Sequence, residues 1–333
     1  MSIKPLPRSV PARRYAHACA DAPVGRRAYC AAVATPATIG SLHLGEALPP
    51  VLAMAGWWLA YRLRCRTLAR RGRPVPRWRQ ACFAAGALLI VAALAPPADR
   101  LGDQLLAVHM AQHLVLGDVA ALLVALSLSG AVLGPLLRRR SLGGLRWVSH
   151  PLVAFPVWAI DLYVWHVPGL YQLAQRDDLV HALQHVMFFG LGLNMWMPLF
   201  GALPLPEWFG QGARLGYVVA VRLAGMVLAN VLIFSGSVLY ARYAAGEARH
   251  GVGALTDQRI AGSIMMIEGM VIAIALFTWL FFRWDAQTER RQSLVDLAAE
   301  RGFELPESRA ARAVASGQDE ALRHRVSRRS HGS

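Results

Sequence analysis

The run LLAVHMAQHLVLGDVAALLVALSLSGAVLGPL, residues 105–136, has Asp118 as its only carboxylate, no Lys or Arg, and two histidines, His109 and His113, four apart near its start. About 20 apolar residues suffice for a helix to cross the hydrocarbon of a bilayer, so this run predicts a crossing with length to spare. The excess predicts either tilt or a break near Ser127, Ser129 and Gly130. Outward from it lie six more apolar runs bounded by charges, prolines or glycines, over 44–61, 80–96, 151–168, 179–200, 214–238 and 259–282. The fold class expected is an all-α membrane protein, a bundle of about seven transmembrane helices over 44–283. A disordered N-terminal tail is expected over 1–43, and over 284–333 a solvated basic cytoplasmic tail with at most one short helix, around Gln292–Glu300.

Composition agrees with the membrane class, since 55% of the residues are hydrophobic and only 17% charged. All the basic residues except Lys4 are arginines, and they lie between apolar runs instead of along one face. That distribution encodes topology and excludes a nucleic-acid surface. Arg62, Arg64, Arg66, Arg70, Arg71, Arg73, Arg77 and Arg79 crowd the first connection, and Arg138, Arg139, Arg140 and Arg146 the third. The second and fourth connections hold only Arg100 and Arg176, beside Asp99, Asp103, Asp177 and Asp178. Basic loops stay inside, which puts the N-terminus outside and the C-terminus in the cytoplasm. The N-terminal arginines Arg8, Arg13, Arg14, Arg26 and Arg27 run against this, and the loops outweigh them. Cys19, Cys30, Cys65 and Cys82 form no Cys-x-x-Cys pair, so neither a thiolate metal site nor a dithiol redox site is expected.

Depth sorts the eleven histidines. His43 precedes the first run, His109 and His113 lie in the outer half of the third, His166 closes the fourth, and His181 and His185 open the fifth. The spacing H-x-x-x-H in HMAQH (109–113) and HALQH (181–185) puts each pair on one helical face, so two neighbouring helices can offer four imidazole nitrogens to one ion. By a rise of about 1.5 Å per residue, Asp161 and Glu268 fall at similar depth to His113 and His185 and are read as auxiliary carboxylates. Met110 and Met265 lie in the same half; a thioether favours Cu(I), although methionine more often fills gaps. Asp118 and Arg222, both nearer the inner boundary, read as a buried ion pair that fixes helix register. The bland alternative for the histidines is hydrogen bonding between helices with no metal. Trp57, Trp58, Trp147, Trp165 and Trp208 read as interfacial anchors, with Tyr240 and Tyr243 in the same class. Gly190, Gly192, Gly225 and Gly262 are expected to permit close helix approach.

The ordered segments HMAQHL (109–114), WVSHP (147–151), WHVPGLY (165–171), HALQH (181–185) and DQRIAG (257–262) with Met265 resemble the CtaG family of cytochrome c oxidase assembly factors, over approximately residues 44–283. The resemblance implies a multi-pass protein of the bacterial plasma membrane that assists oxidase assembly and delivers copper, with His109, His113, His166, His181 and His185 as the matching histidines. Its implied partners are oxidase subunits, the lipid bilayer and an extracytoplasmic copper chaperone, and no turnover chemistry is implied. Competing expectations are haem held by two histidines, a membrane enzyme with a metal-activated water, and a metal-free assembly scaffold.

Overall fold

The computed structural model describes residues 44–137, 144–200, 203 and 205–328, and among them every regular element is helical. His43, the tail expected over 1–43, and Arg138, Arg139 and Arg140 lie outside the described residues. In chain order the helices are α1 Leu44–Arg70, α2 Arg77–Ala93, α3 Pro96–Gly102, α4 Leu106–Ser127, α5 Gly130–Leu137, α6 Gly144–Val148, α7 Pro151–Trp165, α8 Pro168–Ala174, α9 Asp178–Phe200, α10 Gln211–Phe234, α11 Ala244–His250, α12 Ala254–Glu300, α13 Glu307–Ser316 and α14 Asp319–Arg328.

By length and apolarity α4, α10 and α12 can each cross a membrane. The number rises to five if α2 with α3, bent by 55°, and α7 with α8, bent by 78°, each count as one span. Both bends fall where a proline, Pro96 or Pro168, opens the second helix and forbids continuation of the first. Helix α9 is long enough at 23 residues, but His181, Gln184, His185 and Asn194 dilute its apolar run. Leu88, Ile160, Val186, Phe234, Ile274 and Phe282 are exposed on helix surfaces, as lipid-facing side chains are.

The long apolar run does break, at Leu128–Ser129 between α4 and α5. Carbonyls freed inside hydrocarbon have no water to turn to and need protein donors. Arg79 Nη1 donates to the Leu126 and Leu128 carbonyls at 2.8 Å each, and the Tyr61 hydroxyl to that of Ser127 at 3.3 Å. Within α4, Val115–Ala120 widens into a π-helical turn. There the Trp196 indole of α9 donates to the Asp118 carbonyl at 3.2 Å. At Gly192 of α9 an added Cβ would overlap the Gly117 carbonyl, so the two backbones touch. Gly262 is similarly crowded by the Ala229 carbonyl, whereas Gly190 and Gly225 face open space and permit no close approach.

Several residues expected at the interface are interior. Trp165, Tyr240 and Tyr243 are buried, and Trp57 packs edge-on against Phe83 and Phe189. Helix α11 and the turn before it fold back over the bundle, so their aromatics meet protein instead of headgroups. Trp147 and Trp208 are exposed as expected.

Two compact units partition the chain: the first runs up to Trp208 and resumes over Ala220–Met270, and the second comprises Phe209–Val219 and the chain from Val271 onward. In the second, the end of α12 with α13 and α14 encloses Leu294, Ala298, Leu305, Ala310, Leu322 and Val326. The sequence reading allowed at most one short helix here. Gly302 and Gly317, both at positive φ, end helices whose apolar residues recur at helical spacing, and that spacing outweighs the charged composition.

Candidate functional site

Two helix starts position the histidines. The Asp257 carboxylate takes the Leu106 and Ala107 amides at 2.7 and 3.2 Å, which caps α4 from another helix and fixes the turn that carries His109 and His113. Gln258 beside it receives the Leu239 amide and donates to the Leu232 and Ser237 carbonyls, tying down the chain between α10 and α12. Asp177 accepts the Leu179 and Val180 amides at 3.0 Å and opens α9, which carries His181 and His185.

The two H-x-x-x-H turns face each other. Ring centroids are 4.2 Å apart for His109–His113, 4.3 Å for His181–His185, 5.2 Å for His109–His181 and 5.3 Å for His113–His185. One nitrogen from each ring lies within 4.8 Å of all the others. Bonds of roughly 2.0 Å to a tetrahedral ion would set such nitrogens about 3.3 Å apart, a contraction that ring rotation can provide. Both nitrogens of His113, and Nε2 of His181 and of His185, are buried with no hydrogen-bond partner in the structure. Buried polar atoms are seldom left so, and four converging imidazoles without a carboxylate make a neutral, nitrogen-only donor set. The side-chain amide of Gln175 is 3.2 Å from His109 Nε2 and holds that ring. Gln175 escaped the sequence reading because a lone glutamine after a short helix carries no periodic signal.

His166 does not join this group of four. It caps the C-terminus of α7, with Nδ1 2.7 Å from the Leu162 carbonyl and Nε2 3.4 Å from Met110 Sδ. Tyr240 donates to the His166 carbonyl at 2.8 Å, and the Tyr171 and Tyr243 hydroxyls meet at 2.7 Å beside His109. Burial pushes the pKa of the Tyr243 phenol well above its ordinary value, so the hydroxyl keeps its proton.

The carboxylates expected beside the histidines stand elsewhere. Glu268 Oε2 is 3.8 Å from Arg222 Nη1, and Arg222 Nη2 is 2.8 Å from Asp118 Oδ1, so one guanidinium sits between two carboxylates with the Trp196 ring 5.1 Å away. Depths counted inward from two opposite boundaries placed Glu268 and Arg222 in different layers. In a core about 30 Å thick those counts meet within one helical turn. Asp161 is buried on α7, both carboxylate oxygens without a hydrogen-bond partner, and is outside the histidine group. Met265 is core, packed with Leu228, Leu232 and Tyr240. His150, at the opposite end of α7, accepts the Leu152 amide as an N-cap.

A family model of the cytochrome c oxidase caa3 assembly factor (Caa3_CtaG) matches residues 59–287. Two uncharacterized proteins, from Mycobacterium bovis and Mycobacterium tuberculosis, are each 22% identical over 287 residues, which is 80% of this chain and 43% of theirs. The chain thus spans less than half the length of these curated relatives. No solved structure matches.

Proposed function

The chain belongs to the family of cytochrome c oxidase caa3 assembly factors, and from that premise we propose that it binds copper on His109, His113, His181 and His185 and passes the ion to an oxidase subunit. The observation that carries this reading is the approach of four imidazole nitrogens to within 4.8 Å, several of them buried without partners. Nitrogen-only sites suit copper, and transfer needs ligand exchange alone, with no bond of a substrate made or broken. Haem fits less well, because rings whose centroids lie 4.2–6.1 Å apart leave no slot for a planar macrocycle. The topology that goes with the reading has seven crossings of a bacterial plasma membrane, the N-terminus outside and the C-terminus in the cytoplasm. The histidines then open to the extracytoplasmic side, where a copper chaperone can load them.

Metal analysis of the purified protein tests the proposal. Copper is expected to co-purify or to titrate into the wild type, and to be lost when His109, His113, His181 and His185 are all changed to Ala. Equal copper in the quadruple variant refutes the site, and a Soret band in protein from haem-replete cells would replace copper with haem.

A further inference from the structure

His166 and Met110 make a buried contact whose polarity packing does not explain. The Leu162 carbonyl 2.7 Å from His166 Nδ1 only accepts, so Nδ1–H donates to it, and in the neutral ring Nε2 carries the lone pair. That lone pair faces Met110 Sδ at 3.4 Å, and a thioether has no hydrogen to offer. Two acceptors therefore meet where His166 is 6% and Met110 1% exposed, a pairing with nothing between them to hold it. A cation would resolve it. With bonds of roughly 2.0 Å to nitrogen and 2.3 Å to sulfur, a separation of 3.4 Å gives an angle near 105° at the metal, within the range of three- and four-coordinate ions.

His113 links this contact to the four-histidine group. Its ring centroid is 6.5 Å from that of His166 and 5.3 Å from that of His185, and neither of its nitrogens has a partner. A neutral ring has one lone pair, so His113 can offer one nitrogen to the group of four or, after its proton shifts to that nitrogen, the other toward His166, serving the two in turn.

We propose that Met110 Sδ and His166 Nε2, with His113 as the shared imidazole, form a second, soft station that takes Cu(I) next to the four-histidine group. The proposal rests on the copper reading above and adds a selectivity to it. Imidazoles bind zinc as well as copper, whereas a thioether favours Cu(I) and leaves Zn(II) poorly bound. An ion that moves from four nitrogens to a nitrogen and sulfur set has thereby been sorted. The Leu162 carbonyl at His166 Nδ1 keeps the ring aimed at Met110, and the Tyr240 hydroxyl holds the His166 backbone carbonyl at 2.8 Å.

The test uses the full-length protein in detergent, titrated anaerobically with Cu(I) against a chromophoric competitor and separately with Zn(II), together with X-ray absorption of the Cu(I) form. In the wild type a sulfur scatterer is expected in the copper shell. Met110→Leu, nearly equal in volume, should remove that scatterer and weaken Cu(I) by about tenfold or more while Zn(II) binding stays the same, which also certifies the fold. His166→Gln should do likewise, and Met110→Cys should restore sulfur coordination. Unchanged Cu(I) affinity and spectrum in Met110→Leu overturns the soft station and leaves the four-histidine reading standing. Sulfur-ligated Cu(I) that persists at the wild type's copper stoichiometry when His109, His181 and His185 are changed to Ala upholds the station and removes the group of four. A wild type that binds copper in neither state overturns both.

Discussion

Glu247 is 2% exposed on α11, its Oε2 without a hydrogen-bond partner, and Asp257 stands close enough for their charges to oppose each other. Burial first, and the Asp257 charge second, lift the Glu247 carboxyl to about 7. The folded protein therefore keeps this proton up to near neutrality, whereas the unfolded chain releases it in the ordinary carboxylate range. The sign follows from proton counting: the folded state binds more protons across that window, so stability is full at the acid end and declines as pH rises through about 7. Asp257 in turn caps the helix that carries His109 and His113. Heating the detergent-solubilised protein while following helical signal is expected to show a melting temperature that falls between about pH 5 and about pH 8 in the wild type. In Glu247→Gln the fall over the same interval should be smaller than in the wild type. A wild type and variant with parallel pH profiles would show that Glu247 shares no proton-linked equilibrium with folding. None of this was legible in the sequence, where Glu247 is one acid in a polar connection; its isolation depends on α11 folding back so that Gly246 lies against the Gln104 backbone.

At the scale of helices, the site depends on how α4 and α9 cross. Each presents its histidines by the 3.6-residue period alone, and that part is plain from the spacing of His109, His113, His181 and His185. That the two turns meet depends on Gly117 and Gly192, whose backbones touch at the π-helical turn. Gly192→Ala drives a methyl into the Gly117 carbonyl and is expected to cost about 1–3 kcal/mol while loosening copper at the four histidines. Gly190→Ala, two residues away in open space, should leave both stability and metal binding unchanged or slightly improve stability through helix propensity. Thermal melts and metal titrations of the two variants side by side separate crossing geometry from a general intolerance of alanine; equal behaviour would dissolve the packing argument. The break between α4 and α5 was readable from Ser127, Ser129 and Gly130, because such residues weaken a helix wherever they sit. Whether Gly190 or Gly192 makes the contact was not, since both fit the same small-residue pattern and only the partner helix distinguishes them. Tyr240 and Tyr243 misled for a related reason: an aromatic at the end of an apolar run looks the same whether it meets headgroups or a returning segment of its own chain.

Across the whole chain, arginine placement and histidine placement are independent signals that have to agree. If basic connections stay in the cytoplasm, the connection rich in arginine from Arg62 to Arg79 lies inside, and the one around Arg176 and Asp177 lies outside, at the end that carries His181. A copper acceptor loaded from outside requires that arrangement, whereas a site opening to the cytoplasm would draw on a different copper pool and a different partner. Some arginines of the first connection are also structural: Arg79 bonds the broken end of α4, and Arg64 Nε the Val132 carbonyl at 3.2 Å. Charge counting alone therefore does not settle which side they occupy. A chain with Cys19, Cys30, Cys65 and Cys82 changed to Ser, and a single cysteine at Arg176→Cys or Arg71→Cys, both exposed, resolves it. With a membrane-impermeant maleimide on intact cells, Arg176→Cys is expected to label and Arg71→Cys to label only after the membrane is opened. The reverse pattern would turn the histidine end toward the cytoplasm and end the case for extracytoplasmic loading, while leaving the four-nitrogen geometry as it stands.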